Sequence, residues 1–148
     1  MAPDPMAWLT SLRRYVSFVA STNLVWEFVQ MPLYTVWGEG TGRDIAFAAV
    51  HCTGGDVLIA TSSLVLSLFL LGRGWPTTHT AYVRVGASTV ALGVAYTIFS
   101  EWLNIVVRQS WAYSELMPVV PVLDVGLSPL GQWLIIPIAG FWWARPAE

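Results

Sequence analysis

The chain has 148 residues, of which 55% are hydrophobic and 11% charged, with a net charge of -2 and a mean hydropathy of +0.60. Soluble domains carry about 25% charged residues, so a water-exposed surface is not what this composition builds. No basic run exists, which leaves nucleic-acid binding without support. The single cysteine, Cys52, excludes an internal disulfide and any multi-cysteine zinc site.

Nine Trp in so short a chain suit a protein with two membrane interfaces, where indole rings settle at headgroup level. All seven basic residues are Arg, the coding bias expected of a GC-rich bacterial genome. The expected location is therefore the bacterial inner membrane. Arg13-Arg14 before an apolar stretch superficially resembles a secretory or twin-arginine signal. The apolar stretch runs on past Asn23 and Glu27 to Trp37 with no small-residue cleavage site, so it is read as a span.

Hydropathy predicts an all-α membrane protein, a single domain over 1–148 built as a four-transmembrane-helix bundle. The spans fall at about 12–37, 45–71, 82–107 and 129–144. Ser128 is the expected N-cap of the fourth, with Pro129 in its first turn. The stretches 38–42 and 72–76 are turns by their Gly and Pro content. Arg13, Arg14, Arg73, Arg84 and Arg145 fall on one side and Arg43 and Arg108 on the other, which places both termini in the cytoplasm. The connection over about 108–128 then faces the periplasm. Its Met117–Leu123 stretch is too apolar for a solvated loop and too rich in proline for a helix. It is expected to lie back on the bundle, or dip into the outer leaflet, as a partly embedded loop and a lid.

Polar residues follow helical spacing in two spans. Asn23, Glu27, Gln30 and Tyr34 form one stripe, and Gly93, Thr97, Glu101, Asn104 and Arg108 form a second. In the second span Cys52 and Asp56 share a face, whereas His51 and Asp56 stand about 140° apart. At ~1.5 Å per residue from the periplasmic ends, Glu27 and Asp56 lie about 15 Å deep, and His51 and Glu101 about 9 Å deep. Asn104, Gln30, Tyr34, Ser128 and Gln132 fall in or just above the same slab, in the periplasmic half.

Buried carboxylates in a bilayer must be neutral, paired or cation-bound. Interhelical hydrogen-bond clamps would explain them, but Asn or Ser would serve that role at lower cost. The acids therefore point to a working site with Glu27, Asp56, His51 and Glu101 as the catalytic groups. Asn23, Gln30, Tyr34, Asn104, Arg108, Gln132 and Trp133 are the expected substrate-binding residues. Were a metal bound, its donors would be Glu27, His51, Asp56 and Glu101. Trp102, Trp111 and Trp133 are read as interfacial anchors or a stacking surface, and Cys52 as packing.

The expected function is an intramembrane enzyme performing acid/base chemistry on a lipidic or polyene substrate. One carboxyl is held protonated as acid and its ionised neighbour serves as base. The alternatives are a cation- or proton-coupled transporter acting as a homodimer, and an accessory subunit or assembly factor of a larger membrane complex. The expected partners are the lipid bilayer and a lipidic small molecule; the cofactor is left open. Phosphatase fusions test the orientation: one after Ser110 is expected to be active, and one at the carboxy terminus silent.

Overall fold

The computed structural model describes residues 5–146. Helix α1 (Pro5–Gln30) gives way to a tight 3-10 turn (Met31–Leu33) and the short α2 (Val36–Glu39). Then come α3 (Gly42–Leu71) and α4 (His79–Glu101), which runs into a π-helical turn (Trp102–Val107). A two-stranded hairpin, β1 (Val119–Val120) and β2 (Val125–Gly126), precedes α5 (Leu127–Ala144). α1 packs against α3 and α5, and α4 packs against the same two, so four long helices close a ring with α1 opposite α4.

Local chemistry explains the boundaries. Pro32 has no N–H to donate and its ring obstructs the preceding helical turn, so α1 stops at Gln30 and Tyr34 is extended. The predicted span to Trp37 is thereby broken. A capping box starts α3, in which the Thr41 hydroxyl accepts from the Asp44 N–H while Asp44 accepts from the Thr41 N–H. α5 begins at Leu127 with Gly126 as its N-cap, not at Ser128 as expected, which frees the Ser128 side chain for another role.

Two helices are long and apolar enough to cross a membrane: α3, and α4 with its continuation to Val107. Only 22% of the most apolar window of each is buried, so their apolar side chains face outward, unlike those of a soluble core helix. α1 is the least apolar of the four, since it carries Arg13, Arg14, Asn23, Glu27 and Gln30, whereas α5 is short, has no charged residue and is apolar apart from a few positions such as Gln132. Polarity is inverted across the ring. Asn23, Glu27, Gln30, Thr97, Glu101 and Gln132 are buried, while Phe47, Leu58, Val29 and Phe69 are exposed.

One end of the ring is a packed apolar and aromatic core. Tyr15 lies against Phe141 at 4.5 Å between ring centroids, Trp75 stacks on Tyr82, and the Tyr82 hydroxyl donates to the Phe141 carbonyl at 2.6 Å. Leu64 and Val85 fill the space above. The 108–128 connection is tied to the other end. The Thr35 N–H donates to the Ala112 carbonyl at 3.0 Å and the Ser114 N–H to the Leu33 carbonyl at 2.9 Å. Met117 and Val125 are buried, but of the 117–123 stretch expected to lie back on the bundle only Met117 is, while Pro118, Val119, Pro121, Val122 and Leu123 are exposed. The hairpin tip departs from that expectation: Val122 is 96% exposed with a φ of 76°, a conformation β-branched residues rarely adopt.

At the level of the cavity described below, α4 meets α5 through Gly93. A Cβ there would lie 2.3 Å from Cε3 of Trp133, so only glycine admits the indole. Gly93→Ala is expected to cost about 1–3 kcal/mol by overpacking, measured by thermal unfolding in detergent. The double variant Gly93→Ala/Trp133→Leu should recover part of that loss.

Candidate functional site

The ends of α1 and α4 and the starts of α3 and α5 enclose a cavity of about 530 Å³. Its apolar lining includes Met31, Phe47, Ile59 and Trp133; its polar lining includes Glu27, Asp56, Glu101 and Gln132. No Lys or Arg is among the lining residues. The sequence had placed these acids at similar depths, and the fold brings three of them to one chamber.

A directional hydrogen-bond chain supports the acids. The Trp26 indole can only donate, and it donates to Ser128 Oγ at 3.3 Å. Ser128 in turn donates to Gln30 Oε1 at 2.7 Å. This orients the Gln30 amide nitrogen, which donates to Glu27 Oε1 at 2.8 Å and to Gln132 Oε1 at 3.3 Å. With its oxygen so engaged, Gln132 turns its nitrogen to three acceptors. These are Asn23 Oδ1 at 2.7 Å, Glu27 Oε1 at 2.9 Å and Asp56 Oδ2 at 2.9 Å. An amide nitrogen carries two hydrogens. Reversing the amide would set an oxygen against three oxygens, which is worse. Glu27 and Asp56, from α1 and α3, therefore meet at one nitrogen and lie within hydrogen-bonding reach of each other.

Glu101 occupies a separate station on α4. It accepts a hydrogen bond from the Tyr113 hydroxyl, which itself accepts from the Gly126 N–H at 2.8 Å. The Tyr113 ring also lies 5.6 Å from that of Tyr34, and the backbones of the two residues form an antiparallel bridge. Burial, with the neighbouring Glu101 carboxyl, pushes the Tyr113 hydroxyl above the usual tyrosine range, so it remains a donor. Tyr113 thus joins the 108–128 connection, β2 and α4 in one contact. The sequence reading did not single it out, because a tyrosine in a loop has no periodicity to mark it.

The other expected site residues divide. Gln30, Tyr34, Gln132 and Trp133 line the cavity, and Asn23 braces Gln132 from behind, its own amide donating to the Val19 carbonyl at 2.9 Å. Trp133 is buried, so it is not an interfacial anchor. His51 lines the cavity but is itself exposed and stacks on Phe47 at 5.5 Å; it is a residue of the mouth. Asn104 bonds back to Ser100 of its own helix, at 2.9 Å to the carbonyl oxygen. Arg108 is exposed and lies outside the cavity lining. The π turn explains both departures, since its wider winding takes residues after Glu101 off the face that α-helical counting assigns them. Among the described residues no three His, Cys, Asp or Glu converge on a metal-sized space. The conditional donor set Glu27, His51, Asp56 and Glu101 is not gathered into such a group: Glu101 is hydrogen-bonded to Tyr113, and His51 lies at the exposed mouth.

Gln132→Met keeps the side-chain length and removes the shared donor. With several buried acceptors left short of a partner at about 1–3 kcal/mol each, it should destabilise the protein more than Tyr113→Phe. Thermal unfolding of the two variants in one detergent gives the comparison.

No family model, curated protein or solved structure matches the chain, so the functional reading stands on geometry.

Proposed function

We propose that this chain is a four-span protein of a bacterial inner membrane with both termini cytoplasmic. In this reading Glu27 and Asp56 carry out proton transfer on a lipidic or polyene substrate held in the cavity. The supporting observation is the meeting of two carboxyl groups from different helices on the Gln132 amide, inside a ring whose exterior is apolar. Two hydrogens cannot serve three oxygens, and two ionised carboxyls in contact repel strongly in an apolar interior. A single proton held between Glu27 and Asp56 removes both difficulties, since the protonated member donates to the ionised one.

Such a pair gives one proton and takes another. The protonated member acts as general acid, the ionised member as general base, and the pair returns to its starting charge after each turnover. Reactions that relocate a hydrogen within one molecule, such as double-bond migration, need nothing more. His51 at the mouth would exchange protons with water, and the segment carrying Trp111 and Tyr113 would cover the chamber. Transport is less well supported, because Tyr15, Trp75, Tyr82 and Phe141 fill the opposite end of the ring.

Infrared spectroscopy reads the shared proton through the C=O stretch of a carboxylic acid. The band is expected near neutral pH in the wild type and should vanish in both Glu27→Gln and Asp56→Asn. Its persistence in both folded variants would show that the two acids are independent structural clamps.

A further inference from the structure

We infer that Arg73 and Arg84 form a binding site for the phosphate headgroup of an anionic phospholipid, between the end of α3 and the start of α4. The inference goes beyond the acid/base reading and rests only on the membrane-spanning part of it. A cavity of about 430 Å³ lies there, its lining including Phe69, Leu70 and Leu71 of α3, Arg73 of the turn, and Thr80 and Arg84 of α4. No Asp or Glu lines it. Every described Asp and Glu lines the acid cavity or belongs to the segments beside it, at the far end of the ring. Among the described residues, neither guanidinium has an ion pair or a hydrogen bond. Two arginines at one cavity with no acid to balance them call for an anion from outside the chain.

The local structure adds donors of the same kind. Thr80 and Arg84 stand one turn apart on one face of α4, and a helical side chain leans toward the N-terminus of its helix. That direction carries the Arg84 guanidinium toward the first turn of α4, whose N–H groups have no side-chain cap. The N-cap residue Thr78 instead directs its hydroxyl to the Gly74 carbonyl at 3.2 Å. Guanidinium groups and uncapped helical N–H groups both bind oxyanions, and arginine holds phosphate oxygens in pairs. The rim selects a lipid over a soluble anion. Phe69 is 85% exposed and Leu70 62% exposed, at the end of a helix apolar enough to span a membrane, so acyl chains lie along that wall while the phosphate meets the arginines. A zwitterionic headgroup fits less well, because its cationic end finds no carboxylate in the lining.

Native mass spectrometry of the full chain in a maltoside detergent reads the site, with dioleoylphosphatidylglycerol and dioleoylphosphatidylcholine as the two probes. The anionic lipid is expected to bind about tenfold tighter than the zwitterionic one, and Arg73→Gln and Arg84→Gln should each lower its affinity about fivefold. Arg14→Gln removes a charge from the same end of the ring but outside this lining, and should bind as the wild type does. Inorganic phosphate in millimolar excess should not displace the lipid. Equal binding of the two lipids, or an equal loss in Arg14→Gln, overturns the site in favour of a diffuse field. Displacement by inorganic phosphate overturns the lipid assignment and leaves a soluble anion as the occupant. Flotation with phosphatidylcholine vesicles tests the membrane reading separately: its absence overturns both, whereas flotation with equal lipid binding overturns the site alone.

Discussion

The Gln132 amide is the constraint around which this fold is arranged. Among the described residues it is the one side chain whose hydrogen bonds reach α1 through Asn23, Glu27 and Gln30 and α3 through Asp56 while belonging to α5. Three helices are held in register by a side chain whose orientation follows from the indole of Trp26, three hydrogen bonds away along Ser128 and Gln30. In an interior where neutral hydrogen bonds are hard to replace, that directionality matters more than any single distance. It also explains why α5 starts before Ser128: as an N-cap, Ser128 would spend its hydroxyl on its own helix.

The inverted distribution of polarity gives the network its setting. Apolar residues such as Val29, Leu58 and Phe69 face outward, an arrangement that costs dearly in water and nothing in hydrocarbon. Inside, the two ends differ in kind. Glycines let aromatic rings in: Gly140 receives Tyr15 and Phe18, with a Cβ there standing 3.2 Å from Tyr15, and Gly86 receives Phe141. Close packing at that end leaves the open volume at the other, beside the acids. The aromatic packing closes the ring at that end, and at the other Ser110 and Trp111 of the 108–128 connection line a cavity that is half open.

Much of this was legible in the sequence, and what was not has physical reasons. The helical class, the boundaries of α3 and α5 to within a few residues, and the meeting of Glu27 with Asp56 follow from hydropathy and from counting rise along two adjacent helices. Gln132 was placed at the right depth, but its central role was invisible. Rise per residue fixes depth, whereas which helices share a face depends on packing between segments distant in the chain. The stripes failed where the backbone left the α-helix. Tyr34 reaches the cavity through extended backbone after Pro32, and Asn104 misses it because the π turn intervenes. A period of 3.6 presupposes unbroken i to i+4 bonding, and neither residue has it.

The separation of Glu101 from Glu27 and Asp56 bears on what the chamber could do. Had all three acids met, their mutual repulsion would have called for a cation, and the site would read as an ion-binding one. Glu101 is instead engaged by Tyr113, on the helix that lies diagonally opposite α1. One part of the cavity then carries two carboxyl groups that meet at Gln132, and the other a single carboxyl held by Tyr113. The contact of Gly93 with Trp133 fixes the distance between α4 and α5, and through Gln132, next to Trp133 on α5, it sets where the α1 and α3 acids stand relative to Glu101 on α4.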